Sequence, residues 1–322
     1  LLWQLSGGAL YKTDVTNASR TNLFNIHSKA WDQELLDIFN IPPSILPEIH
    51  ASDAVFGEIT RQNRTIKITG VIGDQQSALV GQRCFEPGQM KATFGTGCFL
   101  MVNTGDQSIP STSGLLNTLG YGISNKTPFA LEGSIFSAGT IIQWLRDNLK
   151  FFKESSESEK FLNVDANANG VQFIPAFTGL GAPYWDSNIR ASFHGITRDT
   201  TKKDLINAAF NSISYQTKDI VDCLEQSEIN VKSLSVDGGM ATNKTFVSHI
   251  ANILNIPIQV PKNTESTAKG VACLAGITAG LMNIDLLEKQ EKKVCNPDTN
   301  LNKIMEDDYR LWKQLINESI SP

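Results

Sequence analysis

Between Gly70 and Asn103 the chain reads Gly-Val-Ile-Gly-Asp-Gln-Gln-Ser-Ala-Leu-Val-Gly and then, past Pro87-Gly88, Lys-Ala-Thr-Phe-Gly-Thr-Gly-Cys-Phe-Leu-Met-Val-Asn. The glycines leave little choice of fold. A strand over Lys67–Ile72 has to break at Gly73, where Asp74 and Gln75 open a helix. Two further strands, near 89–94 and 98–103, meet at the tight Gly95-Thr96-Gly97 corner. A carboxylate at a strand end and a glycine-flanked hydroxyl together suit phosphoryl transfer. The acid can orient an acceptor alcohol while N–H groups at the bend hold phosphate oxygens. Each piece also has a plainer reading. Asp74 serves equally as a helix cap, Gly-Thr-Gly as a hairpin turn, and Phe99 as a core residue.

The rest of the chain alternates strands and helices. Period-two patterns predict further strands near 115–119, 129–132, 171–175, 233–236 and 257–260. Helical spacing predicts helices at 136–150, 202–225, 242–254, 265–281 and 304–319. Asp32 caps a short helix, and Ile41–Pro47 is a turn-rich connector. This mixture predicts an α/β layer architecture with a mixed sheet. Lys150–Asn169, rich in Ser, Glu, Lys and Asn, reads as a solvated excursion with no assignable chemistry.

Two more motifs bear on function. Val236-Asp-Gly-Gly-Met-Ala-Thr-Asn243 joins a strand to a helix N-terminus, a ready anion or nucleotide platform, though a simple glycine turn would look the same. It is not a Walker loop. In Phe136-Ser-Ala-Gly-Thr-Ile-Ile-Gln-Trp144, Gly139 near a helix start implies close approach of something, either a ligand or a packed element.

Composition narrows the class. The chain has 322 residues, 41% apolar and 19% charged, enough for one large domain or two. A net charge of −5 argues against nucleic-acid binding. No apolar run approaches the roughly 18 residues of a membrane span. Five cysteines without Cys-x-x-Cys pairing suggest a reducing, cytoplasmic setting. The four histidines lack metal spacing.

The Asp74 and Gly-Thr-Gly blocks resemble the glycerol kinases, carbohydrate kinases built like actin and hexokinase. Phe173–Asp186, His194-Gly-Ile-Thr-Arg198 and Val236–Asn243 support the likeness in the same order, and it covers nearly the whole chain. It implies an actin-like/ribonuclease-H-like two-domain α/β kinase with mixed sheets flanked by helices. Residues 1–82 would be the remnant of an incomplete N-terminal polyol-binding domain, and 83–322 the nucleotide-binding domain. The expected reaction is ATP-dependent phosphorylation of glycerol with Mg²⁺, in a homo-oligomer, dimer or tetramer.

By the same resemblance Asp74 is the catalytic base and contacts substrate with Gln75 and Phe99. Gly95, Thr96, Gly139, Gln143, Gly239 and Asn243 meet the nucleotide. The Thr178–Asp186 loop is a family marker read as structural. An N-terminal segment of the family pattern, carrying a phosphate hairpin, a metal-associated acid and polyol contacts, is absent. The chain is therefore expected to be a truncated form, inactive alone. Two positions depart from the pattern: Asn211 replaces an acid or glutamine, and Gly57–Thr65 lacks the paired glycines of an inhibitory sugar-bisphosphate loop. A kinase of another polyol or ketopentose, a non-kinase actin-like nucleotide-binding protein and an inactive fragment remain the alternatives.

Overall fold

A seven-stranded mixed sheet organises the computed structural model, which describes residues 1–110, 114–283 and 291–320. Its strands are β1 (Met90–Phe94), β2 (Cys98–Gly105), β3 (Leu116–Leu119), β4 (Phe129–Ile135), β5 (Leu234–Asp237), β6 (Ile258–Pro261) and β7 (Lys292–Cys295). Across the sheet they lie in the order β7-β6-β5-β1-β2-β4-β3. The pairs β1/β5 and β5/β6 are parallel and the others antiparallel. Packed on the sheet and on one another are α1 (Asp74–Gly81), α2 (Gly139–Asp147), α3 (Lys202–Gln226), α4 (Lys244–Leu254), α5 (Ser266–Thr278) and α6 (Thr299–Ser319).

Side chains alternate along each strand, so the two faces differ. Met90, Ala92 and Phe94 of β1 enter the main core with Leu100 and Val102 of β2 and Leu234 and Val236 of β5. The register aligns Lys91, Thr93, Met101, Glu132, Ser235 and Asp237 on the opposite face. That face is mostly polar yet largely buried, because α1 and α5 cover part of it. Leu79, Val80 and Leu274 cluster with Met101, Tyr121 and Ala130. The two helices approach very closely: a Cβ at Gly270 would collide with the Ser77 carbonyl oxygen, so only glycine fits there. Ser77 Oγ donates to the Thr267 carbonyl at 2.6 Å across the same crossing.

The predicted sheet strands are all present, with β4 running three residues further, to Ile135. The antiparallel strand β7 was not anticipated from Lys-Lys-Val-Cys. The helix at the C-terminal end begins at Thr299 rather than 304, because Asp298 caps it through the N–H groups of Asn300 and Leu301. The strand over Lys67–Ile72 is corrected. It stops at Ile68 as one arm of a hairpin with Gly57–Arg61, and residues 69–73 are irregular. In the Thr178–Asp186 loop, Tyr184 donates to Asp219 of α3 at 2.6 Å. Asp219 is 1% exposed and also accepts from Tyr309 and Lys313, each at 2.7 Å, which binds the loop and α6 to one buried carboxylate.

Candidate active site

All but one of the sequence-predicted residues line two hollows; Thr96 lines neither and sits in the Gly95-Thr96-Gly97 turn between β1 and β2. The first is a cleft of about 440 Å³ lined by Gly95, Gly139, Gln143, Gly239 and Asn243. The turn forms its inner edge. Gly95 N–H donates to the Gly97 carbonyl at 2.9 Å, closing the corner. The carbonyl oxygens of Gly95 and Thr96 accept from Gly139 and Thr140 N–H, both at 3.0 Å, which fixes the turn to the start of α2. Among the described residues, the Thr96 N–H and hydroxyl and the Gly97 N–H have no protein partner. The corner therefore presents donors and conceals its acceptors, as an anion site requires.

Gly239 and Asn243 sit where β5 passes into α4. A Cβ on Gly239 would meet nothing within 4 Å, so its face of the cleft is open. The left-handed backbone belongs to its neighbour Gly238, at φ +87°. Asn243 caps α4, its Oδ1 accepting from Phe246 N–H at 2.9 Å. Glu159 Oε1 takes the N–H groups of Lys244 and Thr245 at 2.9 and 3.3 Å. The expectation of a free anion platform at this helix start is thus corrected, since a protein carboxylate already fills it.

Lys150–Asn169 is corrected as well. Residues Ser155–Phe161 form a 3₁₀ helix, and Ser155, Ser156, Ser158 and Glu159 line the cleft. His249 of α4 holds this segment through an Nε2 bond to the Asn163 carbonyl at 2.6 Å. Burial lowers the His249 pKa to about 4, so the bond is made by a neutral ring.

The second hollow, of about 460 Å³, is lined by Asp74, Gln75 and Phe99 together with Asn17, Arg20, Gln76 and Glu132. Asp74 is the first residue of α1, and Gly73 occupies the cap position, so the capping alternative fails. The Asp74 carboxylate accepts from its neighbour instead, at 2.8 Å from Gln75 N–H and 3.3 Å from Gln75 Nε2. Gly73 is itself held by Thr16 Oγ1 at 2.8 Å, and Thr16 donates to the fully buried Asp14 at 2.6 Å. Phe99 remains 38% exposed on its strand, so it is not a core residue. Arg20 bonds Glu132 at 2.8 Å; the acid is 1% exposed.

Below this pocket Lys91 is fully buried. Its ammonium donates to Gln75 Oε1, to Thr93 Oγ1 at 3.2 Å and to the Phe99 carbonyl at 3.3 Å. Burial draws its pKa down, and Asp237 is the chief opposing charge. The sequence carried no signal for this: Lys91 lies on the polar phase of β1, opposite Met90, Ala92 and Phe94, and a strand lysine ordinarily marks the solvent face.

Comparison with known proteins fits this arrangement. Residues 90–279 match the C-terminal domain and residues 1–81 the N-terminal domain of the FGGY family of carbohydrate kinases. The chain belongs to the FGGY family of carbohydrate kinases. It is 45% identical to a glycerol kinase of Bacillus velezensis, over 100% of this chain and 66% of the relative. An Alteromonas mediterranea glycerol kinase is 49% identical over 88% of the chain and 58% of the relative. A crystal structure of Plasmodium falciparum glycerol kinase with ADP superposes with a TM-score of 0.88 at 36% identity, covering 100% of this chain and 65% of the other. The matched part of the chain thus spans 58–66% of the length of these relatives. The fold is that of the actin-like sugar kinases, with a mixed sheet flanked by helices as the sequence predicted. Among the described residues no helix of this FGGY chain is long and apolar enough to cross a membrane.

Proposed function

We propose that the whole protein transfers the terminal phosphoryl group of ATP to glycerol, giving ADP and glycerol 3-phosphate. One observation carries the reading. Gly95 lines the cleft and Phe99, on the strand that follows the donor-rich turn, lines the polar pocket, so one hairpin serves both hollows. A nucleotide in the cleft would lay its terminal phosphate against the turn, within reach of an alcohol in the pocket. The glycerol kinase relatives supply the choice of glycerol.

In this reading Asp74 receives the proton of the attacking primary hydroxyl as its oxygen bonds to phosphorus and the bridging bond to ADP breaks. Gln75 donates to the adjacent hydroxyl, and Phe99 covers the carbon face. The Thr96 hydroxyl and the turn N–H groups hold the phosphate oxygens, while Gly139, Gln143, Gly239 and Asn243 bound the nucleoside. Such transfer asks mainly for positioning and charge neutralisation. Among the described residues no three His, Cys, Asp or Glu side chains gather to hold a metal. These residues form no cage for Mg²⁺, which would enter on the nucleotide's own phosphates and supply charge neutralisation there.

We assign residues 1–82 to the polyol-binding unit and 83–322 to the nucleotide-binding unit, with α1 as the joint. A cytoplasmic homo-oligomer is the form proposed. A coupled assay of the whole protein with ATP, Mg²⁺ and a polyol panel tests the activity. Glycerol-dependent ADP formation is expected, and ATP turnover indifferent to added polyol would refute it.

A further inference from the structure

An ammonium out of water is tolerated only when every donor finds an acceptor. Lys91 has three donors and three oxygen acceptors, and two of those belong to Gln75 and Phe99, which line the polyol pocket. An ammonium cannot accept a hydrogen bond, so the Gln75 amide has one orientation, Oε1 toward Lys91 and Nε2 toward Asp74. One Nε2 hydrogen points to Asp74 Oδ2 and the other is left for a ligand. Rotated by half a turn, the amide would set its oxygen against the Asp74 carboxylate, and the pocket would lose its donor.

We propose that Lys91 is a positioning residue of the polyol site, locking the Gln75 amide so that donor and acceptor face adjacent hydroxyls of the substrate. This rests on the kinase reading above. The ionisable groups around the ammonium are Asp74 on α1, Cys98 on β2, Glu132 on β4 and Asp237 on β5, and among the described residues none forms an ion pair with it. Burial favours the neutral amine, so the lock is present at lower pH and is lost as pH rises through the depressed Lys91 pKa. An alkaline limb in the rate profile follows.

The test is Lys91→Met in the whole protein. With glycerol as acceptor, kcat is expected to fall about tenfold to a hundredfold, glycerol KM to rise and ADP affinity to hold, and the alkaline limb to vanish. A kcat and KM within about twofold of the unaltered protein, or a persisting limb, overturns the proposal. If Lys91→Met does not fold, Thr93→Val carries the question, because it removes one acceptor at constant shape. It should move the limb to lower pH, and an unmoved limb refutes the lock. Absence of glycerol-dependent turnover in the unaltered protein overturns both readings; intact turnover with a harmless Lys91→Met overturns the lock alone.

Discussion

The N–H of Gly139 donates to the carbonyl oxygen of Gly95 at 3.0 Å, and a Cβ at Gly139 would collide with that oxygen. The close neighbour that a glycine at this helix start foretold is therefore the Gly95-Thr96-Gly97 turn. Gly139→Ala is expected to push the turn away from α2, costing about 1–3 kcal/mol as overpacking does and weakening ADP binding as well. Chemical denaturation and calorimetric titration would measure both, and an unchanged midpoint would mean the turn gives way freely.

Gly239 offers the contrast. Nothing lies within 4 Å of a Cβ there and its backbone is not left-handed, so Gly239→Val should leave stability nearly unchanged. The new side chain projects into the cleft, where ADP affinity should drop about tenfold or more by the loss of contact and space. Undiminished ADP binding would remove Gly239 from the nucleotide site.

These two glycines show where the sequence was legible. Period-two alternation gave the strands of the sheet because one of its faces is uniformly apolar, as Met90, Ala92 and Phe94 illustrate. The short edge strand Lys292–Cys295 escaped because an edge needs no apolar pattern, only a partner. Val71 and Ile72 looked like strand since apolarity was taken for extension, although they form the irregular approach to α1. Glu159 and Lys91 were missed for one reason. Polar residues read as solvent-facing, while here Lys91 is buried and Glu159 turns back onto a helix start, each matched to a partner.

Asp74 stands at the first position of α1 without capping it, so Asp74→Asn should cost little stability, at most about 1 kcal/mol of helix-dipole interaction. As the proposed base it should cost far more in rate, about 10²–10⁴-fold in kcat with a smaller change in glycerol KM. Near-normal turnover in the variant would leave the acid with a structural part only.

Arg20 reaches over the pocket to Glu132, an acid 1% exposed whose second oxygen has no partner among the described residues. Removing the guanidinium leaves a buried carboxylate uncompensated. Arg20→Met is expected to destabilise by about 3 kcal/mol, and Arg20→Met with Glu132→Met to recover much of that loss. Thermal unfolding of the singles and the double closes the cycle; a loss in the double equal to the sum of the two singles would show that the pair is not coupled.

His249 makes the wall of the cleft beside Gly239 sensitive to acid. The folded protein keeps the ring neutral, with its pKa lowered by burial from 6.5 to about 4, while the unfolded chain titrates normally. The sign follows. Above about pH 6.5 both states are neutral and the full stability is present; on acidification the unfolded chain gains a proton that the fold refuses. Stability attributable to this residue should fall by about 2 kcal/mol at pH 5, with the 3₁₀ segment at Ser155–Phe161 loosened along with it. His249→Gln can still donate to the Asn163 carbonyl but cannot titrate, so its stability should decline less between pH 7 and pH 5. Urea midpoints of the two proteins at both pH values decide the matter. Parallel declines would place the acid sensitivity elsewhere and leave His249 as a neutral strut.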